Sequence, residues 1–286
     1  MMNFITVSDS LGDFTLYSKR FDSKPVDFSF IVGAYNAANT LEKSIQSLID
    51  QNYESFEMII VDDGSTDDTF ELLFSLYQKV DNIIIIKQEN IGLTSSLNRS
   101  IEIANGEYIV RHDADDISYS NRLHTLKEYF DEGEVFLMSF ADTGFSNHTT
   151  NVVPRIVYFH NKYLIPESLL FGNPFVHGTF AFKKDFILKY KYNDRFRLAQ
   201  DFELLIRVVR NKERVRLVPF TLYNFIKSDN SVSFKRSAEQ IKLAKNALIL
   251  NGFKTNLLIA EKNKLTQVFL KFYREFYFFI KRFTNV

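Results

Sequence analysis

The chain has 286 residues, 45% of them hydrophobic and 15% aromatic, a globular composition long enough for one large or two small domains. Thirty-five Lys and Arg offset 35 Asp and Glu, so no bulk charge draws the protein to nucleic acid. There is no cysteine, which excludes disulfides, thiol catalysis and Cys-ligated zinc.

Residues 1–27 are mixed in character and are expected to form an added strand or arm without chemistry. Met1–Phe30 carries charges throughout and lacks the apolar block of a signal peptide. No run of about 20 apolar residues follows, so nothing is expected to span a membrane, and a cytoplasmic protein is expected. Phe28–Gly33 reads as an apolar strand ending in the turn Ala34-Tyr35-Asn36. Leu41, Ile45, Leu48 and Ile49 follow at helical spacing, with Asn39 and Glu42 placed as an approximate capping box. Glu57–Val61 is a second strand, nearly all apolar as a buried parallel strand would be, and it ends in Asp62-Asp63-Gly64-Ser65-Thr66-Asp67. Phe70, Leu73, Phe74 and Tyr77 mark the next helix face. Ile83–Ile86 is a third strand, ending near Asn90-Ile91-Gly92. Leu93, Leu97, Ile101 and Ala104 then outline a helix that Asn105-Gly106 would close as a left-handed cap.

A fourth strand, Glu107–His112, runs into Asp113-Ala114-Asp115-Asp116. If the chain stays extended, Asp113 and Asp115 leave the same face. Two carboxylates held close repel, and a hard divalent cation relieves that repulsion and can hold a diphosphate. Acidic turns are also common on surfaces, so the motif alone is weak. The regular alternation from 28 to 112, however, predicts a parallel sheet covered by helices. Ligands of such sheets bind beyond the carboxyl ends of the strands. The clusters Tyr35-Asn36, Asp62-Asp63, Asn90 and Asp113–Asp115 all fall at those ends.

A helix over Ser120–Phe130 and a strand over Val135–Phe140 extend the domain. Beyond 150 the alternation fades, and Gly172–Gly178, which contains His177, reads as a loop over a site. Thr179–Phe182 reads as a strand. Gln200-Asp201 opens a helix with Phe202, Leu205, Ile206 and Val209 inward and the pair Glu203–Arg207 outward. Residues 213–226 read as a strand, and 236–251 as a helix stopped by Gly252. In Lys264–Phe283 aromatic and aliphatic residues recur every three or four positions among Lys and Arg. Such a basic amphipathic helix suits a membrane interface, the protein body or a second chain equally well.

Phe30–Asn36, Ile59–Asp67, Asn90–Leu93, Asn105–Ile109 and Asp113–Asp116, in this order, resemble the family 2 nucleotide-sugar glycosyltransferases of bacterial surface-polysaccharide type. Gln200-Asp201 matches the later Glu-Asp or Gln-Asp position of that family, and the resemblance covers about residues 28–230. It implies an α/β GT-A fold, a Rossmann-like and mostly parallel sheet flanked by helices, here with a C-terminal helical extension. The expected organisation is an arm at 1–27, a nucleotide-sugar-binding half at 28–140, an acceptor-binding half at 141–235 and a helical region at 236–286.

The resemblance further implies a nucleotide-diphosphate sugar donor, expected to be a UDP-sugar, and a divalent metal, Mn²⁺ or Mg²⁺. Tyr35, Asn36, Asp62, Asp63 and Asn90 would face the donor, with Tyr35 and Asp62 at the nucleobase end. Asp113, Ala114 and Asp115 would address ribose, diphosphate and, through the two carboxylates, the metal. Asp201 would deprotonate an acceptor hydroxyl of a glycan or lipid-linked substrate, with inversion at the anomeric carbon. Many relatives carry Arg-Asn where this chain has Leu97-Asn98, and Arg111 is the nearest substitute for the missing phosphate contact. The Gln-x-x-Arg-Trp motif of processive synthases is absent, since the chain has no Trp.

Several roles stay open on sequence grounds. Asp63 either binds the donor or braces its own turn. His177 and Gln200 reach the diphosphate or acceptor, or serve structure alone. Asp201 is also suited to an N-cap. Arg122 is expected to pair with the acidic turn. A nucleotidyltransferase and a non-catalytic sugar-nucleotide or glycan-binding protein are the alternatives. The first would need a basic, Gly-rich loop after the first strand, whereas no base follows here until Lys43. A lipid-linked acceptor would place the protein peripherally at the inner face of the cell membrane, through residues 264–286.

Overall fold

The computed structural model describes residues 4–19, 25–145, 148–152, 159–160, 162–164, 166–171, 173, 175–226 and 237–253. The segment 264–283 lies outside the described residues. One sheet runs through the molecule in the order β1 (Phe4–Asp9), β2 (Gly12–Ser18), β5 (Ile83–Gln88), β4 (Phe56–Asp63), β3 (Val26–Ala34), β6 (Gly106–Asp113), β12 (Phe180–Lys183), β8 (Phe136–Phe145), β13 (Arg216–Ile226), β11 (Tyr163–Leu164), β10 (Phe159–His160), with β7 (Ile117–Ser118) on β13 and β9 (His148–Val152) on β8. Its parallel core is β5 (Ile83–Gln88), β4 (Phe56–Asp63), β3 (Val26–Ala34) and β6 (Gly106–Asp113). These are the four strands expected from the alternation.

Period-two alternation distributes each strand over two cores. Phe28, Phe30, Val32, Met58 and Ile60 face α1 (Leu41–Ile49), α2 (Thr69–Lys79) and α4 (Arg122–Asp131). Ile31, Ile59, Val61, Ile84 and Ile86 face α3 (Leu93–Ile103), α5 (Lys184–Tyr190) and α6 (Gln200–Arg210). A sheet covered on both faces exposes only its rims, and the carboxyl rim of β3 to β6 carries the polar clusters.

Beyond β6 the sheet turns mixed. β12 (Phe180–Lys183) is antiparallel to both β6 and β8 (Phe136–Phe145), and β13 (Arg216–Ile226) is parallel to β8. Among the described residues, short strands and 3-10 turns rather than an α-helix lie between β8 and β12, so β12 can enter in the opposite direction. β1 (Phe4–Asp9) and β2 (Gly12–Ser18) form a hairpin, and β2 pairs antiparallel with β5. Gly12 turns the hairpin at φ +111°, and the Leu11 N–H donates to Asp9 Oδ1 at 2.7 Å.

Three local expectations are corrected. The N-cap of α1 is Thr40, and its hydroxyl bonds Ala37 O and Ala114 O rather than closing a box with Glu42. Gly106 is no left-handed cap: it starts β6, and a Cβ there would meet Ser29 N at 2.5 Å, so close strand packing requires the glycine. Glu203 is buried, and its pair with Arg207 faces inward, where Arg207 also holds the last carbonyls of α5 through Tyr190 O and Lys191 O. α5 itself, short and following a strand directly, was not expected. The last described helix, α7 (Ser237–Leu250), does stop at Gly252, which has φ +77°.

Candidate active site

β6 ends at Asp113, and Ala114-Asp115 form a turn closed by Asp116 N–H to Asp113 O at 3.3 Å. The chain is therefore not extended between the two carboxylates, as the two-residue spacing had suggested. They still sense each other. Burial, and then the charge of Asp113, push the Asp115 carboxyl up to about 6. Among the described residues no side chain pairs with Asp115. Asp113 is anchored instead, by an ion pair with Arg111.

Arg111 is fully buried beneath the turn, bonded to Asp113 and to Ile31 O at 3.4 Å. It orients a carboxylate of the rim from below, and its full burial leaves no open guanidinium for the phosphate contact it was the nearest substitute for. Arg122 is also fully buried. It donates to Ser118 Oγ, Arg111 O and Gly178 O at 2.9, 3.0 and 2.6 Å, so it grips backbone instead of pairing with the acidic turn. Burial pulls its guanidinium down to about 10. Between these two, His112 bonds Ser44 and Ser118, and burial with both guanidinium charges holds it neutral.

At the other end of the rim, Asp62 is 1% exposed. Its Oδ1 accepts the Ser65 N–H at 3.0 Å, while Oδ2 is buried without a partner. Asn36, at φ +51°, ties its loop to the next through Thr66 N–H at 2.8 Å and Ser65 Oγ at 3.0 Å. Tyr35 is 53% exposed beside it. Asp63 braces a turn, but not its own. Its oxygens accept Gln88 Nε2, Ile91 N–H and Gly92 N–H at 2.8, 3.0 and 2.9 Å, which leaves the carboxylate committed to the loop that carries Asn90. Asn90 itself is exposed. Asn98 is committed too, with both ends of its amide on the Tyr192 backbone at 2.9 Å, and Leu97 is core.

Asp201 lies in the first turn of α6, and the cap position belongs to Ala199 at φ +95°. Gln200 turns back to accept the Ala199 N–H at 3.1 Å, so it shapes the helix start. Burial raises the Asp201 carboxyl to about 6, and the like charge of Asp113 adds to this. Asn173 Nδ2 donates to Asp201 Oδ2 at 2.6 Å, and its Oδ1 accepts the Phe175 N–H at 3.0 Å. His177 sits in a single 3-10 turn, its Nε2 at 2.9 Å from the Tyr192 hydroxyl, and burial together with Arg111 keeps it neutral.

Sequence reasoning missed Asp116, Tyr223, Tyr192 and Asn173. Tyr223 donates to Asp116 Oδ2 at 2.7 Å and accepts the Asp113 N–H at 3.1 Å, while Ile226 N–H reaches Asp116 Oδ1 at 2.8 Å. β13 thus fixes the acidic turn from across the sheet. Burial, then Asp113 and Asp115, push the Asp116 carboxyl up to about 9, while the hydrogen bonds from Tyr223 and Ile226 oppose the shift. Asp116 was visible as a third carboxylate in the turn. Nothing local marked Tyr223, 107 residues away in sequence.

Parallel strands that deliver carboxylates to one rim, where the charge of Asp113 acts on both Asp115 and Asp201, fit the Rossmann-like α/β proteins that bind ligands beyond strand ends. Comparison with known proteins is more specific. The profile of glycosyl transferase family 2 matches residues 29–190, more than half the chain, and the chain belongs to that family. An uncharacterized glycosyltransferase of Haemophilus influenzae is 30% identical over 195 residues, 64% of this chain and 60% of that relative. The minor teichoic acid biosynthesis protein GgaB of Bacillus subtilis is 26% identical over 251 residues, 83% of this chain but 27% of its own length. S. aureus TarS in complex with UDP-GlcNAc superposes with TM-score 0.62 at 18% identity, covering 80% of this chain and 68% of that one. The mannosyltransferase PcManGT of Pyrobaculum calidifontis, in complex with GDP-Man and Mn²⁺, gives 0.61 at 19%, covering 80% and 66%. The fold is therefore of the GT-A kind. Among the described residues no helix is long and apolar enough to cross a membrane.

Proposed function

We propose that the protein is an inverting, metal-dependent, non-processive glycosyltransferase that moves a sugar from a nucleotide diphosphate to a hydroxyl of a glycan or lipid-linked acceptor. The observation that carries this reading is that two carboxyls, Asp115 without a side-chain partner among the described residues and Asp201 held by Asn173, are both raised by burial and by the charge of the same Asp113. One site calls for a cation and the other for a proton.

Among the described residues no three His, Asp or Glu side chains gather as a protein-only metal cage. Two carboxylates suit Mg²⁺ or Mn²⁺ bound in part by substrate phosphates. Asp113 and Asp115 would hold the ion, and when bound it supplies Lewis-acid stabilisation of the charge on the departing diphosphate. Arg111 keeps Asp113 aimed at that position. The buried, partnerless Asp62 Oδ2 needs an N–H donor. Uracil and guanine each offer a ring N–H, and Tyr35 stands beside the same loop. This agrees with a UDP- or GDP-sugar, as the UDP-GlcNAc and GDP-Man of the two similar structures illustrate. Asp201 takes the acceptor proton as the acceptor oxygen bonds the anomeric carbon and the bond to the diphosphate breaks. A carboxyl poised near 6 is ionised at neutral pH yet basic enough to act, typically about 10²–10⁴-fold. The turn after β3, Tyr35–Thr40, contains no Lys or Arg to hold a triphosphate, which disfavours a nucleotidyltransferase.

The similarity to GgaB supports a role in a bacterial surface polymer, and residues 264–286 would bring the enzyme to a membrane-borne acceptor. The test is binding and hydrolysis of UDP-, GDP- and dTDP-sugars with Mn²⁺ or EDTA, for wild type and Asp201→Asn. Expected is metal-dependent binding of one donor by both, with turnover lost in Asp201→Asn. Absence of any donor binding would overturn the transferase reading. Binding without turnover in the wild type, even when glycan acceptors are supplied, would favour a binding protein.

A further inference from the structure

The β1–β2 hairpin lies outside the stretch that matches the family, yet an unbroken run of side chains joins it to the donor rim. At the hairpin turn, Asp9 accepts Arg99 Nη2 at 2.6 Å and Nε at 2.9 Å. Arg99 also donates to Gly12 O at 3.3 Å, and its guanidinium lies 4.4 Å from the centre of the Phe14 ring. The hairpin therefore surrounds this arginine on three sides. The other end of the guanidinium, Nη1, donates to Gln88 Oε1. Gln88 Nε2 in turn donates to Asp63 Oδ1 at 2.8 Å and to Ser96 Oγ at 2.9 Å. Asp63 then receives the Ile91 and Gly92 N–H groups.

Donor meets acceptor at every junction, so the polarity of each group dictates the next. Gln88 has only one usable amide orientation, oxygen toward Arg99 and nitrogen toward Asp63. Asp63, Gln88 and Arg99 are 4%, 6% and 2% exposed. Asp9 is the outermost member, its side chain 30% exposed, and it supplies the carboxylate that compensates a buried guanidinium. Without it, Arg99 is a buried charge whose remaining neutraliser is Asp63, two bonds away through Gln88. The arginine would then leave for solvent or compete for Asp63, and either move disturbs the carboxylate that holds Ile91 and Gly92.

We infer that the hairpin is a positioning element for the Asn90–Gly92 loop, acting through Asp9, Arg99, Gln88 and Asp63, and that it sets donor affinity. The part concerning affinity rests on the proposed transferase function. The part concerning the loop does not.

The test compares Asp9→Ala, Asp9→Glu and a neighbouring control, Thr6→Ala, in the full chain. Amide hydrogen exchange at Ile91 and Gly92 is measured by NMR, alongside KM and kcat for the donor found in the panel above. In Asp9→Ala, exchange at these two amides should quicken about tenfold relative to Thr6→Ala, while the β6 amides stay protected. Donor KM should rise roughly 3- to 10-fold with kcat within about twofold, the pattern of lost binding rather than lost chemistry. Asp9→Glu should recover much of both. Equal exchange in Asp9→Ala and Thr6→Ala would overturn the inference and reduce the hairpin to a cover. An equal drop in kcat and kcat/KM with unchanged exchange would overturn it as well. Faster exchange in a protein that binds no donor in any form would support the loop coupling and count against the transferase reading alone.

Discussion

A carboxylate lifted by burial must lose its proton before it can accept one, so the proposed base Asp201 would link activity to pH with a definite sign. Its base form exists above its pKa and is lost as pH falls through about 6. A cation held by Asp113 and Asp115, as proposed, would cancel the Asp113 contribution but leave burial, the larger cause, in place. The acid limb of kcat in the Mn²⁺-saturated enzyme should therefore lie above the ordinary aspartate value of about 3.9. Asn173 pulls the other way, because its amide donates to the ionised form. Asn173→Ala should shift that limb upward, and a rate–pH profile checks it. If the limb stays put while activity drops uniformly, Asn173 holds the loop and nothing more. Tyr223→Phe removes a hydroxyl that serves Asp116 and the Asp113 N–H together. It should cost about 1–3 kcal/mol of unfolding free energy, measured by urea denaturation.

At the scale of elements, the parallel core was legible because each strand and helix carries its own period. Phe28, Phe30 and Val32 alternate with Ile31, and the same register appears in the two cores. The rim was legible for the same reason, since polar clusters after apolar runs mark strand ends. What resisted reading depends on partners distant in sequence. Asp63 looked like a turn brace or a donor ligand, and only the approach of the β5–α3 loop decides that it holds Ile91 and Gly92. Arg111 and Arg122 read as a phosphate contact and a partner of the acidic turn, and only Ile31 O, Gly178 O and the Tyr223 ring, brought in from elsewhere in the chain, reveal them as buried braces. Gly106 shows how the same residue type misleads: following a helix pattern, it suggested a cap, whereas strand proximity is its reason. Gly106→Ala should lower the urea midpoint by an amount equivalent to about 1–3 kcal/mol, with an unchanged m-value, because the Ser29 backbone cannot move aside.

For the molecule as a whole, the sequence beyond Phe253 would bear on where the proposed enzyme works. The basic aromatic periodicity of 264–283 suits an anionic lipid surface. A chain ending at residue 263 should lose sedimentation with anionic vesicles while keeping donor hydrolysis. If it sediments as well as the full chain does, the membrane role of that segment is wrong.

The pairing of β2 with β5, from Phe14↔Gln88 to Ser18↔Ile84, has one more consequence. β5 is built on the run Ile83–Ile86, and β2 is what keeps it from being the border of the parallel core. A chain begun at residue 26, near where the family match starts, would present those isoleucines as a bare strand with free N–H and C=O groups. That is the template on which other chains add strands. The hairpin is thus also a guard against self-association. The shortened chain should turn turbid and bind thioflavin T at concentrations where the intact protein stays clear.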